Sequence, residues 1–122
     1  MAKSISERFP HRHRIVRSTD YRAIYNTGKK IHTDKFVLFG RENDKGHARL
    51  GITVSRKIGC ASIRNRVKRL FREIFRRSAT EIPDNFDIVV NAKSGCAKAG
   101  FTELREEFIA AAKRMARKGP SE

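Results

Sequence analysis

The sequence predicts a small α+β sandwich, with three helices laid against a short sheet in the order helix, strand, strand, helix, strand, helix (α-β-β-α-β-α). Three observations carry this. Apolar residues recur at helical spacing from Ile63 to Phe75 and again from Phe101 to Met115. Three shorter runs, 36–39, 50–54 and 86–90, are rich in Val, Ile, Leu and Phe and have the length of strands. No internal repeat and no long linker divides the chain, so residues 1–122 form a single domain.

The elements follow in order. Residues 1–17 are polar and basic, with Phe9-Pro10 as their anchor, and read as an extended amino-terminal arm. Ser18 is placed to cap a short helix that carries Tyr21, Ile24 and Tyr25 on one face and ends at Gly28. The two tyrosines either fill the core or form a half-exposed stacking platform. The run Phe36-Val37-Leu38-Phe39 is apolar on both parities and suits a strand covered on both faces, bounded by Gly40 and the polar 42–46 turn. A second strand runs through Leu50, Ile52 and Val54, and the two are expected to pair as a hairpin. The segment from Ser55 to Arg77 then reads as one helix. Ile82-Pro83-Asp84-Asn85 marks a turn before the strand Phe86 to Val90, with Asp84 and Asp87 flanking the strand start. The last helix carries Phe101, Leu104, Phe108, Ala111, Ala112 and Met115 on one face and stops at Gly119-Pro120, leaving 118–122 as a tail.

Charge narrows the function. The chain has 28 Lys and Arg against 13 Asp and Glu, a formal net charge of +15. Between Ser55 and Arg77 nine basic residues oppose one acid, Glu73, so salt bridges within the helix cannot neutralise it. One side of that helix is to be buried and the other offered to a polyanion. Nucleic acid is the leading partner, because clustered cations gain affinity by releasing counterions condensed on phosphates. A membrane is disfavoured by the lack of a long apolar span, a signal-peptide pattern or a lipidation motif, and the expected protein is soluble and cytoplasmic.

Catalytic signals are sparse. Cys60 and Cys96 lack metal-binding spacing, and no disulfide is expected. His11 and His13 are the one candidate for acid–base hydrolysis of RNA, but histidines among Arg8, Arg12 and Arg14 read more simply as part of a solvated basic arm. No carboxylate cluster offers a divalent-metal site, so neither a catalytic residue nor a protein-held metal or cofactor is assigned.

Ser55-Arg56-Lys57-Ile58-Gly59-Cys60-Ala61 followed by Arg64-Asn65-Arg66-Val67-Lys68-Arg69 closely resembles the signature of the bacterial ribonuclease P protein subunit. The basic arm, the helix around Asp20-Tyr21, the Phe-Val-Leu-Phe strand, the Phe-Asp-Ile-Val-Val strand and the closing helix stand in that family's order, so the resemblance spans nearly the whole chain. Cys60 stands where the family commonly has asparagine and Ser62 where it has an aliphatic residue, which makes Ser62 a candidate cap for the basic helix.

The resemblance implies a fold shared with a domain of a small-subunit ribosomal protein and a domain of a translocation factor, with a left-handed β-α-β crossover that the general rule would not predict. It also implies the protein half of a ribonucleoprotein that removes the 5′ leader of precursor tRNA. The expected partners are then the ribonuclease P RNA subunit and precursor tRNA, with the protein itself monomeric and Mg2+ and the hydrolysis on the RNA. Arg56, Lys57, Arg64, Asn65, Arg66, Lys68, Arg69 and Arg72 are the expected docking surface for that RNA, since arginine forks hold phosphates bidentately and Asn65 both donates and accepts. Arg64 drifts toward the apolar edge of the helix and is expected to snorkel and orient. Tyr21, Tyr25, Val37 and Phe39 are expected, by resemblance, to line a cleft for the unpaired leader, with Arg12, Arg14, Arg17 and Lys35 along its backbone. A ribosomal or general RNA-binding protein is the alternative.

Overall fold

A computed structural model describes residues 13–82 and 85–117. The helices are α1 (Ser18–Thr27), α2 (Ala61–Arg77) and α3 (Phe101–Arg117); the strands are β1 (Lys29–His32), β2 (Phe36–Glu42), β3 (Arg49–Thr53) and β4 (Phe86–Ala92). The α+β class and the order of the expected elements hold. An additional strand, β1, precedes the first expected one. Its sequence, Lys-Lys-Ile-His, has a single apolar residue, Ile31, and so no alternation to read.

The expected hairpin does not form. The sheet order is β1-β2-β4-β3, with β2 antiparallel to both β1 and β4 and β3 parallel to β4. The reason lies in β4, whose residues Phe86 to Val90 are all buried. A strand covered on both faces belongs in the middle of a sheet, and a parallel neighbour then requires a crossover, which α2 supplies between β3 and β4. Gly40 lies inside β2 rather than ending it: a Cβ there would fall 2.0 Å from the Met115 Sδ, so α3 packs directly on its backbone.

The two sheet faces differ. Phe36, Leu38, Leu50, Ile88 and Val90 meet Val67, Phe71, Ile74 and Phe75 of α2 and Leu104, Phe108, Ala112 and Met115 of α3 in one continuous core. The opposite face carries a small cluster of Ile15, Ile24 and Val89, with Tyr21 and Phe39 packed against it. Both apolar helix stripes therefore lie where the periodicity places them.

Several local expectations change. The segment 55–77 is broken: one 3-10 turn, Arg56–Ile58, precedes Gly59, and α2 begins at Ala61 with Cys60, not Ser62, at the N-cap. Arg17, not Ser18, is the N-cap of α1, and its carbonyl accepts from the Asp20 and Tyr21 N–H groups. Gly28 does close α1, donating its N–H to the Ile24 carbonyl at 2.9 Å. The arm reading fails for residues 13–17. The Ile15 N–H donates to the Leu50 carbonyl at 3.0 Å, Arg14 bridges Leu50 in parallel, and Ile15 is buried, so this stretch closes the free edge of β3. Phe9-Pro10, Arg12, Pro83, Asp84 and Gly119-Pro120 lie outside the described residues. Both cysteines are free thiols, Cys60 exposed and Cys96 buried. Among the described residues, no helix is long and apolar enough to cross a membrane.

Candidate nucleic-acid interface

Helix α2 turns its apolar stripe to the sheet, which fixes where its cations go. Glu73 pairs with Arg76 and Arg77, and these hydrogen bonds, Arg76's first, hold the Glu73 carboxyl below its ordinary pKa. The acid is thus occupied at the carboxyl-terminal end. Asn65 and Arg69 project from the exposed side, and Arg56 and Lys57 lie exposed on the preceding 3-10 turn. Arg64 folds back, as expected, with its Nε donating to the Gly59 carbonyl at 3.2 Å.

Arg66 departs from the expected pattern. Its guanidinium donates to the Ala97 carbonyl at 3.0 Å and the Ala99 carbonyl at 3.2 Å, tying α2 to the 3-10 turn Ser94–Lys98. The side chain therefore has a structural task that sequence reading does not assign to it. The helical wheel places Arg66 on the charged side, but the carbonyls it meets are more than thirty residues away.

Lys68 and Arg72 face the other way, toward β3 and α1. They line a cleft of about 260 Å³ together with Arg14, Val16, Tyr21, Gly51 and Ile52. The surfaces that the sequence treats as separate, the basic helix and the tyrosine cleft, are thus contiguous. Tyr21 is fitted closely here: a Cβ on Gly51 would lie 2.5 Å from its hydroxyl, so only glycine admits the ring. Burial raises the Tyr21 pKa, the neighbouring Tyr25 adds to this, and the Ile52 backbone hydrogen bond and the Arg72 charge oppose it. The phenol stays neutral.

Beyond Tyr21 the sheet face opens. Lys30, Phe39, Val89 and Gly51 form one row across the strands, and His32, Val37, Asn91 and Thr53 form the next. Tyr25 lies over these rows, 36% exposed, with its ring edge-on to Phe39 at 4.8 Å. The Lys30 ammonium sits 5.5 Å from the Phe39 centroid. Val37 and Phe39 are half-buried while Phe36 and Leu38 are fully buried, so the strand presents the first pair to the open face and the second to the core. Lys30, His32, Thr53 and Asn91 are additions that sequence reading missed. Alternation along each strand would have put them on this face once the register was known.

The cationic flank is only partly assembled. Arg14 and Arg17 are both exposed and border a second hollow of about 260 Å³ with Val16, Lys45 and His47. Lys35 is not part of the cleft. Its ammonium pairs with Glu103 and Glu107 of α3, each at 3.0 Å, and these contacts, Glu107's hydrogen bond first, raise its pKa. A lysine so paired is poorly placed to follow a phosphate backbone.

His13 fits neither reading offered for it. It is 6% exposed, its Nδ1 lies 2.9 Å from the Ala48 carbonyl oxygen, and its ring stands edge-on to His47 at 5.1 Å. It is packed, not solvated, and has no open side for a substrate. His11 lies outside the described residues.

Beneath α1 sits a buried ion pair the sequence did not disclose. Arg49 holds Asp87 through Nε to Oδ1 at 2.8 Å and Nη2 to Oδ2 at 2.6 Å, while Asn43 donates to the same Oδ1 at 2.7 Å. Arg49 also reaches Asp20 of α1 at 3.5 Å. Burial works against the Asp87 carboxylate, but the hydrogen bonds from Arg49 and Asn43 outweigh it and leave its pKa below the ordinary value. This fork fixes the start of α1, and hence Tyr21, over the sheet. Among the described residues, no group of three or more His, Cys, Asp or Glu converges as a metal ligand set.

A helix face on which Lys68, Arg69 and Arg72 stand without an acid partner among the described residues, running into a half-open aromatic sheet, defines a class, a single-stranded or structured RNA binder. The family model for ribonuclease P matches residues 9–116. The ribonuclease P protein component of Thermotoga maritima is 37% identical over 115 residues, which cover 91% of this chain and 98% of the relative. A solved structure of the Thermotoga maritima RNase P protein aligns with a TM-score of 0.78 over 87% of this chain and 98% of that one. The RNase P protein of Staphylococcus aureus gives a TM-score of 0.74 at 31% identity, covering 86% and 95%. The chain belongs to the ribonuclease P protein family, the protein components of a tRNA-processing ribonucleoprotein.

Proposed function

We propose that the exposed side of α2 docks on the ribonuclease P RNA subunit and that the open sheet face holds the 5′ leader of precursor tRNA. The observation that carries this is the shared cleft: Lys68 and Arg72 of the basic helix line the same hollow as Tyr21. Phosphates bound along α2 lead without a break to aromatic rings on which unpaired bases stack, each worth about 1–3 kcal/mol with little demand on sequence. Arg56, Lys57, Asn65 and Arg69 contact the RNA subunit, Arg64 and Arg66 support that surface, and Tyr25, Val37 and Phe39 receive leader bases. Arg14 and Arg17 follow the leader backbone. Hydrolysis and Mg2+ belong to the RNA in this reading, and the protein contributes affinity and alignment.

Reconstitution tests it. The protein alone is expected to leave precursor tRNA intact, and its addition to the family's catalytic RNA to restore cleavage at near-physiological magnesium. Cleavage by the pure protein, or no gain for the RNA, defeats the proposal. The leader-binding part has its own test: with the holoenzyme at matched salt, leader-bearing RNA must bind more tightly than leaderless tRNA. Equal affinities would favour a general RNA-binding role.

A further inference from the structure

The 3-10 turn Ser94–Lys98 packs against α2 and carries one cation that nothing in the fold uses. Three lysines stand on or beside this turn. The Lys35 ammonium is held by Glu103 and Glu107, and the Lys93 ammonium donates to the Thr33 carbonyl at 2.7 Å. Lys98 is exposed, and among the described residues its side chain has neither an ion pair nor a hydrogen bond.

Two separate fastenings hold the turn. Its middle is fixed by Cys96, which is fully buried and whose thiol donates to the Lys35 carbonyl at 2.9 Å. Its end is fixed by Arg66, whose terminal nitrogens donate to the Ala97 and Ala99 carbonyls, on either side of Lys98. A guanidinium fork reaches two acceptors at once in a fixed geometry, which the point charge of an ammonium does not. Carbonyls carry no net charge, so this pairing secures the backbone at Lys98 and leaves the Arg66 cation unneutralised. The same turn packs against the 3-10 turn that bears Arg56 and Lys57, and Arg69 stands one helical turn beyond Arg66. Lys98 thus joins Arg56, Lys57 and Arg69, all exposed and all without an acid partner among the described residues. Like charges gathered in this way repel one another, and a polyanion relieves the repulsion as its own condensed counterions are released.

We propose that Lys98 is a contact to the ribonuclease P RNA subunit and that Arg66 is its positioning residue, holding the end of the turn so that this lysine completes the docking surface. The surface then extends from α2 onto a segment that the helical pattern of the basic stretch does not include. The proposal rests on the docking reading above.

The test measures assembly of the protein with the family's catalytic RNA over a range of salt concentrations. Lys98→Gln is expected to weaken assembly about fivefold at about 0.1 M salt and to lower the salt slope by about one phosphate contact. Arg66→Lys keeps the charge but cannot span both carbonyls, so adding Lys98→Gln to it should change affinity less than about twofold. A merely structural Arg66 would lower the melting temperature and leave the Lys98 effect equal in both backgrounds, which overturns the positioning role. A second measurement needs no change at residue 66: the RNA subunit should protect Lys98 of the unaltered protein from acylation, read by mass spectrometry. Equal acylation with and without the RNA overturns the proposal, as does a change in the holoenzyme's preference for leader-bearing over leaderless tRNA in Lys98→Gln, which would put the lysine against substrate. Lys98→Gln without effect on assembly, where Arg69→Ala weakens it, overturns the proposal and leaves the α2 docking surface intact. If neither change affects assembly, both readings fall.

Discussion

The two faces of the sheet are made from the same strands and have opposite fates. On one face, α2 and α3, each of 17 residues, seal Phe36, Leu38, Ile88 and Val90 from water. On the other, the 10-residue α1 covers Val89 and part of Phe39 and leaves Val37, Asn91 and Thr53 uncovered or half-covered. The difference is one of helix area, not of strand chemistry. A sheet needs one dry face to be stable; the second is then available for binding, provided that something holds its short helix in place. Here the Arg49–Asp87 fork, the Asp20 contact and the bridge from Arg14 to Leu50 do so.

The largest effect should separate the faces by stability. Phe71→Ala removes a fully buried ring from the sealed face and is expected to cost about 3–5 kcal/mol in urea unfolding. Phe39→Ala on the open face should cost less than about 2 kcal/mol, because its ring is only half withdrawn from water. Equal losses would mean that both faces are core, and the contrast would collapse.

Next comes the fork that holds α1. Asp87→Asn leaves the buried Arg49 charge with only its longer contact to Asp20 and should destabilise by about 3 kcal/mol at neutral pH. Because the folded Asp87 pKa is depressed, its contribution is fully present above the unfolded carboxyl range and is lost as pH falls through the lower folded value. Acid titration of the melting temperature should therefore be steeper in the unaltered protein than in Asp87→Asn. Parallel curves would show that the fork is not what ties the open face together.

A smaller effect divides the arginines of α2. Arg66→Ala loses two hydrogen bonds to carbonyls and should cost about 1–2 kcal/mol of stability as well as RNA affinity. Arg69→Ala, exposed on the helix, should change stability by less than about 0.5 kcal/mol and lower the salt dependence of RNA binding by about one phosphate contact. A helical wheel, which puts both arginines on the charged side, would have both changes spare the fold. Identical melting temperatures would restore that view and return Arg66 to the docking surface.

The smallest probe is chemical. Cys60 is exposed and its pKa is lowered, first by the Ser62 hydroxyl, whereas burial raises Cys96 to about 11. A maleimide reagent at neutral pH should label Cys60 in the native protein and reach Cys96 only after unfolding. Protection of Cys60 on adding the RNA subunit would place the amino-terminal end of α2 inside the docking surface.

Local pattern and composition were sufficient for some of this. The apolar stripe from Val67 to Phe75, the face of α3, the strand Phe86 to Val90 and the excess of cations over Glu73 are properties of neighbouring residues, and spacing reports them faithfully. The family's signature, which runs from Ser55 to Arg69, is equally local. What needed the tertiary structure joins residues far apart. That β4 enters between β2 and β3 turns the expected hairpin into a central strand with a parallel neighbour. That Arg66 and Lys35 meet distant carbonyls and carboxylates removes them from the face that a helical wheel or a charge count assigns to them. His13 is buried, and Arg49 finds Asp87, for the same reason. Sequence by itself determined which segments form helices and strands and that the surface seeks a polyanion, because periodicity and charge are local sums. Only the packed chain decided which cations remain free and which sheet face stays open, because each depends on a partner that proximity in sequence does not supply.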